Sequence, residues 1–136
     1  RLDFKRKITR ADYDVLPHRI VLLRHAESQG NVDVSTYATQ PDHTVALTGR
    51  GYAQARNLGA QLCDSLSAMH GPDFKAFIMC SPYCRTLQTT DGLLTAFTDA
   101  QVVGVRQAVQ LREQDFGNFQ DPCRIVQDKD ERIRFG

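Results

Sequence analysis

Short apolar segments alternate along this chain with longer segments whose apolar residues recur at helical spacing. The runs 19–24, 74–80 and 101–105 are predicted to be strands, because they are apolar and rich in β-branched residues without regular polar alternation. Strands that are joined by helices pack as a parallel sheet with helices on its faces. The sequence therefore predicts an α/β fold, a three-layer sandwich with a mainly parallel sheet.

Two helices are predicted between these strands. Thr48 is the expected N-cap of the first helix, and the turn-forming residues 70–73 close it. Ser81 and Pro82 predict the start of the second helix, which runs to about Phe97. A third, highly charged helix is expected after Asp121-Pro122. The apolar stripe of the first helix contains Ala55, Leu58, Leu62, Leu66 and Met69, and the inner face of the second contains Leu87, Leu94 and Phe97.

Composition excludes several classes of partner. The chain has 136 residues, which suits one domain, and its net charge of +1 gives no general attraction for nucleic acid or a membrane surface. No apolar stretch is long enough to span a bilayer. Residues 1–18 form a basic leader that lacks the apolar region of a secretory signal. Any site for an anion must therefore be built locally.

The cysteines and histidines do not form a recognisable metal or redox motif. None of the four cysteines belongs to a Cys-x-x-Cys pair, so we interpret them as free thiols of a reducing, cytoplasmic protein; disulfide pairing is the alternative. The four histidines lack ligand spacing, so no metal is predicted. Too few residues separate Cys80 from Arg85 for the phosphate-wrapping loop of a cysteine-dependent phosphatase, and Pro82 interrupts them.

Distinctive polar residues follow all three predicted strands. Because ligands gather at the carboxyl ends of parallel strands, we expect these residues to meet at one edge of the sheet. Two arginines, a histidine and a carboxylate at one edge make a coherent site for an anion such as phosphate. The residues are Arg24, His25, Ser28 and Asn31 after the first strand, Ser81 and Arg85 after the second, and Arg112 and Glu113 after the third.

These residue types suit phosphoryl transfer. A neutral His25 can attack phosphorus, and neighbouring guanidinium groups disfavour its protonated form. Glu113 can then protonate the departing oxygen, although by spacing alone Asp115 and Glu27 compete for that role. Asn31 also suits an ordinary turn.

Four segments together resemble the histidine phosphatase superfamily, also called the phosphoglycerate mutase-like family. "LRHAESQGN" is similar to its Arg-His-Gly-Glu-Ser-x-x-Asn signature, with Ala26 in place of the usual glycine. "LTGRGYAQARNLG", "CSPYCRTLQTT" and "LREQDFGNFQ" resemble its later segments in the same order. The resemblance covers residues 19–120 and implies a phosphoglycerate mutase-like fold.

The resemblance also implies roles for individual residues. His25 would be the residue that is phosphorylated during turnover, and Glu113 would be the proton donor. Arg24 and Arg85 would bind the phosphoryl group, and Asn31 would help to line the site. No metal or organic cofactor is expected.

One departure from the family concerns a second histidine, which usually lies in a Gly-His or Ser-His pair on a later strand. No histidine follows Glu113 in this sequence. Residues 19–136 are therefore expected to be the N-terminal portion of a catalytic domain, inactive alone, unless another chain supplies the missing strand.

The predicted function is hydrolysis of a phosphate monoester through a phosphohistidine intermediate, on a small phosphorylated substrate or a phosphoprotein. One alternative is a phosphoglycerate mutase that depends on 2,3-bisphosphoglycerate, although the chain lacks an adjacent arginine pair after its acidic residue. A second alternative, prompted by the missing histidine, is a non-catalytic module that binds phosphorylated ligands.

Overall fold

The computed structural model describes residues 16–113. Most of the predicted basic leader, residue Asp115 and the charged helix expected after Asp121-Pro122 lie outside the described residues. The described part contains four α-helices, two strands and two short 3-10 turns. The helices are α1 (Gln29–Val32), α2 (Thr36–Thr39), α3 (Gly49–His70) and α4 (Cys84–Leu94); the strands are β1 (Ala76–Cys80) and β2 (Val102–Gln107); the 3-10 turns are Asp42–Thr44 and Val109–Leu111.

The two strands form a parallel sheet. β1 and β2 run side by side, with Ala76 opposite Val102 and Cys80 opposite Gln107, and α4 connects them. This strand–helix–strand unit confirms the predicted α/β class with parallel strands. Each strand lies within two residues of its predicted bounds, because an apolar β-rich run between turn signals is an unambiguous pattern.

The prediction of a strand over residues 19–24 is wrong for the described structure. This segment has no strand assignment, and the side chains of Ile20 and Leu22 are 75% and 90% exposed. A parallel strand needs a hydrogen-bonded neighbour, and within residues 16–113 the two strands pair only with each other. The segment and β1 instead line one cavity of about 960 Å³, whose walls also include Leu62, Phe77 and Met79.

Helix α3 begins and ends where the sequence predicts. The hydroxyl of Thr48 accepts a hydrogen bond from the backbone N–H of Gly51 (2.9 Å), as an N-cap does. Gly71 ends the helix with a φ of 85°, a backbone conformation that favours glycine. None of the helices within residues 16–113 combines the length and the apolar character that crossing a membrane would require.

Helices α3 and α4 make their closest contacts through small residues, one of which, Ala55, belongs to the predicted apolar stripe of α3. Gly59 of α3 lies directly against the carbonyl of Leu93, and Gly92 of α4 lies against the methyl group of Ala55. The predicted inner face of α4 is wrong, because Leu87, Leu94 and Phe97 are only partly buried. The buried residues of α4 are Arg85, Thr89, Gly92 and Leu93. Close approach of the two helices therefore buries polar side chains of α4 beside the backbone that carries the site.

Helix α4 begins later than predicted. Its N-cap is Tyr83, and the hydroxyl of Ser81 accepts only a weak hydrogen bond from the N–H of Tyr83 (3.3 Å). The Ser81-Pro82 pair forms a bend between β1 and the helix instead of its first turn. Backbone N–H groups at Ser81 therefore do not form a helix N-terminus, and a contribution from them to an anion site is not supported.

Candidate active site

The ring of His25 is fixed by a hydrogen bond to the main chain. Its Nδ1 lies 2.7 Å from the carbonyl oxygen of Ala26. A carbonyl only accepts, so Nδ1 carries the proton and donates it, which leaves a lone pair on Nε2. The imidazole is half-buried and is therefore held in one tautomer with one nucleophilic nitrogen.

The surroundings of His25 favour its neutral form. Burial is the largest effect and lowers the pKa of His25 below its ordinary value of 6.5. The hydrogen bond to Ala26 raises this pKa, the positive charges of Arg85 and Arg24 lower it, and the negative charge of Glu113 raises it. The balance is a lowered pKa, so the ring is mostly uncharged at neutral pH.

This balance gives a testable pH dependence. We expect a nitrogen-15 NMR titration of His25 to give a midpoint below 6.5, and Arg24→Gln to move that midpoint upward because it removes a positive neighbour. Because the unfolded chain binds this proton more readily, the stability supplied by the neutral ring is lost as the pH falls from about 6.5 through the lower folded pKa. A midpoint above 6.5, or a downward shift in Arg24→Gln, would contradict the electrostatic account.

Thr89 supports the main chain next to His25. Its hydroxyl accepts a hydrogen bond from the backbone N–H of Ala26 (3.1 Å) and donates one to the carbonyl of Arg85 (2.7 Å). Thr89 is a buried residue of α4. It holds the main chain at Ala26, and the carbonyl of Ala26 in turn holds the ring of His25. Thr89 is not among the site residues predicted from the sequence. Its place in the segment "CRTLQTT", which resembles the family, is the feature that could have indicated a role.

Two glutamines hold the loop that follows His25. The Oε1 atom of Gln54 in α3 accepts a hydrogen bond from the backbone N–H of Glu27 (3.0 Å). The Oε1 atom of Gln88 in α4 accepts one from the backbone N–H of Leu47 (2.8 Å). Both glutamines lie in segments that resemble the family. Their hydrogen bonds hold the two ends of the loop against α3 and α4.

Glu27 serves the start of α3. Its carboxylate accepts a hydrogen bond from the hydroxyl of Thr48 (2.8 Å) and forms an ion pair with Arg50 (3.5 Å). Gly51 lies so close to the carbonyl of Glu27 that a Cβ atom there would overlap it. The observed contacts of Glu27 therefore hold the start of α3 and pair the carboxylate with an arginine.

Arg85 is buried and paired with a carboxylate. It is only 3% exposed, and its Nη1 donates to the side chain of Asp42 (2.7 Å) and to the backbone carbonyl of the same residue (2.8 Å). The Tyr83 ring lies on the guanidinium, with 5.1 Å between Cζ and the ring centroid. Its Nε is buried and has no hydrogen-bond partner. Sequence reasoning predicted Arg85 in the site but not its partner Asp42.

The structure brings Arg24 and Glu113 to the same place as His25. Both are exposed, both line the cavity that His25 and Arg85 line, and both lie close enough to change the pKa of His25. The carboxyl ends of the chain segments therefore converge as expected. Within residues 16–113, no group of three or more histidine, cysteine or acidic side chains could hold a metal ion, and Cys63, Cys80 and Cys84 are free thiols.

Asn31 has a local structural contact. Its Oδ1 accepts hydrogen bonds from both the backbone N–H and the hydroxyl of Ser28, each at 3.0 Å, which is the geometry of a capping box at α1. Asn31 is itself exposed, whereas Ser28 is fully buried. The contact observed for Asn31 is thus the turn-stabilising one, and its contact with phosphate stays a prediction.

Tyr37 is a neighbour of the site that sequence reasoning missed. Burial is the largest effect on its hydroxyl and raises its pKa, while the charges of Arg85, Asp42 and Glu113 and a hydrogen bond with Ser28 also act on it. No motif in the sequence marks this tyrosine. Only the fold of residues 33–46 brings it beside the arginine.

Comparison with models of known protein families identifies the family of this chain. The model of the histidine phosphatase superfamily (branch 1) matches residues 20–133. The chain belongs to the histidine phosphatase superfamily. This confirms the resemblance drawn from the four sequence segments.

Two curated relatives come from Arabidopsis thaliana. Phosphoglycerate mutase-like protein AT74 and phosphoglycerate mutase-like protein AT74H are each 43% identical over 126 residues, which cover 92% and 90% of this chain. These residues cover 40% and 45% of the two relatives, so the chain spans less than half of their length.

Two solved structures are similar to part of the chain. The putative phosphohistidine phosphatase SixA from Agrobacterium tumefaciens is 26% identical with a TM-score of 0.42, covering 60% of this chain and 46% of its own. That from Nakamurella multipartitia is 21% identical with a TM-score of 0.37, covering 66% and 58%.

Proposed function

We propose that the protein hydrolyses phosphate monoesters through a phosphohistidine formed on His25. The observation that carries the proposal is the hydrogen bond from Nδ1 to the carbonyl of Ala26, which leaves the lone pair of Nε2 on a half-buried ring. A buried guanidinium, that of Arg85, belongs to the same site. A neutral nucleophile beside fixed positive charge is what attack on a phosphate monoester requires.

The reaction has two steps. The lone pair of Nε2 attacks phosphorus while the bond from phosphorus to the leaving oxygen breaks, and the Glu113 carboxyl group donates its proton to that oxygen. Water then attacks phosphorus and the bond to Nε2 breaks. The Glu113 carboxylate takes the proton from this water, which regenerates the enzyme and releases inorganic phosphate.

The arginines and Asn31 would bind the phosphoryl oxygens. Arg24 and Arg85 carry positive charges close enough to His25 to lower its pKa. The Oδ1 of Asn31 is occupied by Ser28, so its amide nitrogen is the group that would reach a phosphoryl oxygen. The substrate is a small phosphate monoester or a phosphoprotein, and no metal or organic cofactor is needed for these steps. A cytoplasmic location stays a prediction.

We also propose that the cavity beside His25 receives a further strand that carries the second histidine of the family. Segment 19–24 has apolar side chains without strand neighbours, and β1 has β2 on one side only within residues 16–113. A strand placed between them would cover the apolar side chains of Leu62 and Phe77, which line the cavity. It would also supply the hydrogen-bond partners that residues 19–24 need.

Trapping the intermediate tests the proposed function. The full-length protein is mixed with p-nitrophenyl phosphate, quenched in alkali because a phosphohistidine is acid-labile, digested and analysed by mass spectrometry. We expect one phosphoryl group on the peptide that contains His25 and none in His25→Ala. Phosphate release at an ordinary rate without any label on this peptide would overturn the proposal.

A phosphoglycerate mutase is the second candidate, because both curated relatives are described as phosphoglycerate mutase-like. Such an enzyme would need 2,3-bisphosphoglycerate to phosphorylate His25. Transfer of labelled phosphate between phosphoglycerates without release of inorganic phosphate would favour the mutase.

A further inference from the structure

The most unusual contact of the site lies between Arg85 and Asp42. Asp42 begins the 3-10 turn Asp42–Thr44. The Asp42 side chain is 19% exposed and that of Arg85 is 4% exposed, so the ion pair is largely removed from water. The chemistry proposed above for Arg85 does not by itself require a buried carboxylate next to it.

The hydrogen bonds of Arg85 are divided unequally along its guanidinium group. Nη1 donates to Oδ1 and to the backbone carbonyl of Asp42, which uses both of its hydrogens. Nη2 makes a longer contact with Oδ2 of Asp42, at 3.4 Å. Nε is buried without any partner. Asp42 thus binds the two Nη nitrogens of the guanidinium group. The N–H group of Nε is the donor that remains unused, and the side of the guanidinium that carries it is called the Nε edge.

The turn that carries Asp42 is closed by its own hydrogen bonds. The backbone N–H of Val45 donates to the Asp42 carbonyl (3.3 Å), and both the N–H and the hydroxyl of Thr44 donate to the carbonyl of Pro41 (2.9 and 2.8 Å). The ring of Tyr83, the N-cap of the helix that carries Arg85, also contacts the guanidinium. Asp42 is therefore a fixed partner for Arg85.

We propose that Asp42 is the positioning residue of the phosphate site: it holds the Nη end of Arg85 so that the Nε edge faces the phosphoryl group next to His25. This inference rests on the proposed function, because it takes Arg85 to bind phosphate. Asp42 acts through Arg85 and does not itself contact the substrate. A bidentate donor edge is useful only when its direction is fixed, and a long flexible side chain needs a partner to fix it.

The opposite arrangement would have Asp42 as a competitor that phosphate must displace. Displacement would leave a largely buried carboxylate without its partner, which is strongly unfavourable. It would also break the second contact from Nη1 to the backbone carbonyl, which no side-chain rotation of Asp42 can release. The unused Nε makes displacement unnecessary.

The test measures inhibition of the full-length protein by inorganic phosphate, with p-nitrophenyl phosphate as substrate. Asp42→Asn keeps the shape but places an amide donor against Nη2. We expect its inhibition constant for phosphate to rise about 10-fold or more, with a higher KM and a lower kcat. Asp33→Asn is the matched control, because Asp33 is an exposed carboxylate whose hydrogen bonds within residues 16–113 come from Ser35, and it should leave all three values unchanged.

A second pair of variants separates this inference from the proposed function. Lysine lacks the planar guanidinium group that Asp42 would orient. Adding Asp42→Asn to Arg85→Lys should therefore change the inhibition constant for phosphate much less than adding it to the wild-type protein. If Arg85→Lys weakens phosphate binding but Asp42→Asn leaves it unchanged or strengthens it, the positioning role is overturned and the phosphate role of Arg85 stands. If Arg85→Lys itself leaves phosphate binding unchanged, the phosphate role assigned to Arg85 in the proposed function fails.

Inhibition of each variant is measured below the midpoint of its thermal unfolding, so that only folded protein is compared. Should Asp42→Asn be unfolded, Asp42→Glu carries the test, because it keeps the charge and moves the carboxylate by one methylene group. Weaker phosphate inhibition in folded Asp42→Glu supports positioning. An unchanged inhibition constant overturns it, since charge alone would then suffice.

Discussion

Replacing His25 by alanine should lower the rate of phosphate monoester hydrolysis by the full-length protein about 10⁴-fold or more. The variant lacks the only atom that the proposed mechanism offers as a nucleophile, Nε2, and water cannot take its place without a base positioned on that side of the phosphorus. The loss should appear in kcat, whereas substrate binding by Arg24 and Arg85 should persist. Steady-state kinetics with p-nitrophenyl phosphate measure both quantities.

His70→Ala is the matched control for this prediction. His70 is the exposed last residue of α3 and has no part in the proposed reaction. Its activity should stay within about twofold of the wild-type value, as expected when an exposed residue without a role in the proposed reaction is replaced. A His25→Ala enzyme that keeps more than about one tenth of the wild-type kcat would be incompatible with covalent catalysis at this residue.

Arg85→Met should cause the largest loss of stability among single substitutions in the site, about 3–5 kcal/mol in the free energy of unfolding. The substitution leaves the Asp42 carboxylate, whose side chain is only 19% exposed, without its cation. Methionine fills similar space, so the effect reports the orphaned charge rather than a cavity. Urea denaturation followed by circular dichroism measures the change.

Two comparisons test the cause of that loss. Arg50→Met breaks the ion pair with Glu27, in which the arginine side chain is 77% exposed, and should cost at most about 1 kcal/mol. Asp42→Asn introduced into Arg85→Met removes the unpaired charge and should restore part of the lost stability. If the double variant is no more stable than Arg85→Met, the orphaned carboxylate is not the source of the effect.

The parts of the site that could be predicted from the sequence are those that local patterns mark. Apolar runs located β1 and β2 to within two residues, and Thr48 marked the start of α3, because strand composition and helix capping depend on neighbouring residues. The convergence of His25 with Arg85 was also predicted, from the rule that parallel strands deliver their carboxyl ends to one edge, although segment 19–24 is not a strand within the described residues.

The errors arose where the outcome depends on partners distant in the chain. Residues 19–24 have strand composition, but a strand exists only with a hydrogen-bonded neighbour, and none pairs with them within residues 16–113. Ser81-Pro82 satisfies a capping rule, yet helix α4 begins at Cys84. Two glycines that the pattern did not mark, Gly59 and Gly92, make the closest contacts between α3 and α4, and of the predicted α3 stripe Ala55 takes part in them.

The sequence by itself determined which reactive side chains this chain carries: a histidine and an arginine at the end of an apolar segment, a second arginine after β1, and an acid after β2. Only the tertiary structure decided which tautomer His25 adopts, that Thr89 supports it, and that Asp42 holds Arg85. The reason is physical. Residue types and short-range spacing fix which groups are available, whereas hydrogen bonds between residues such as Ala26 and Thr89, 63 positions apart, exist only once the helices have packed.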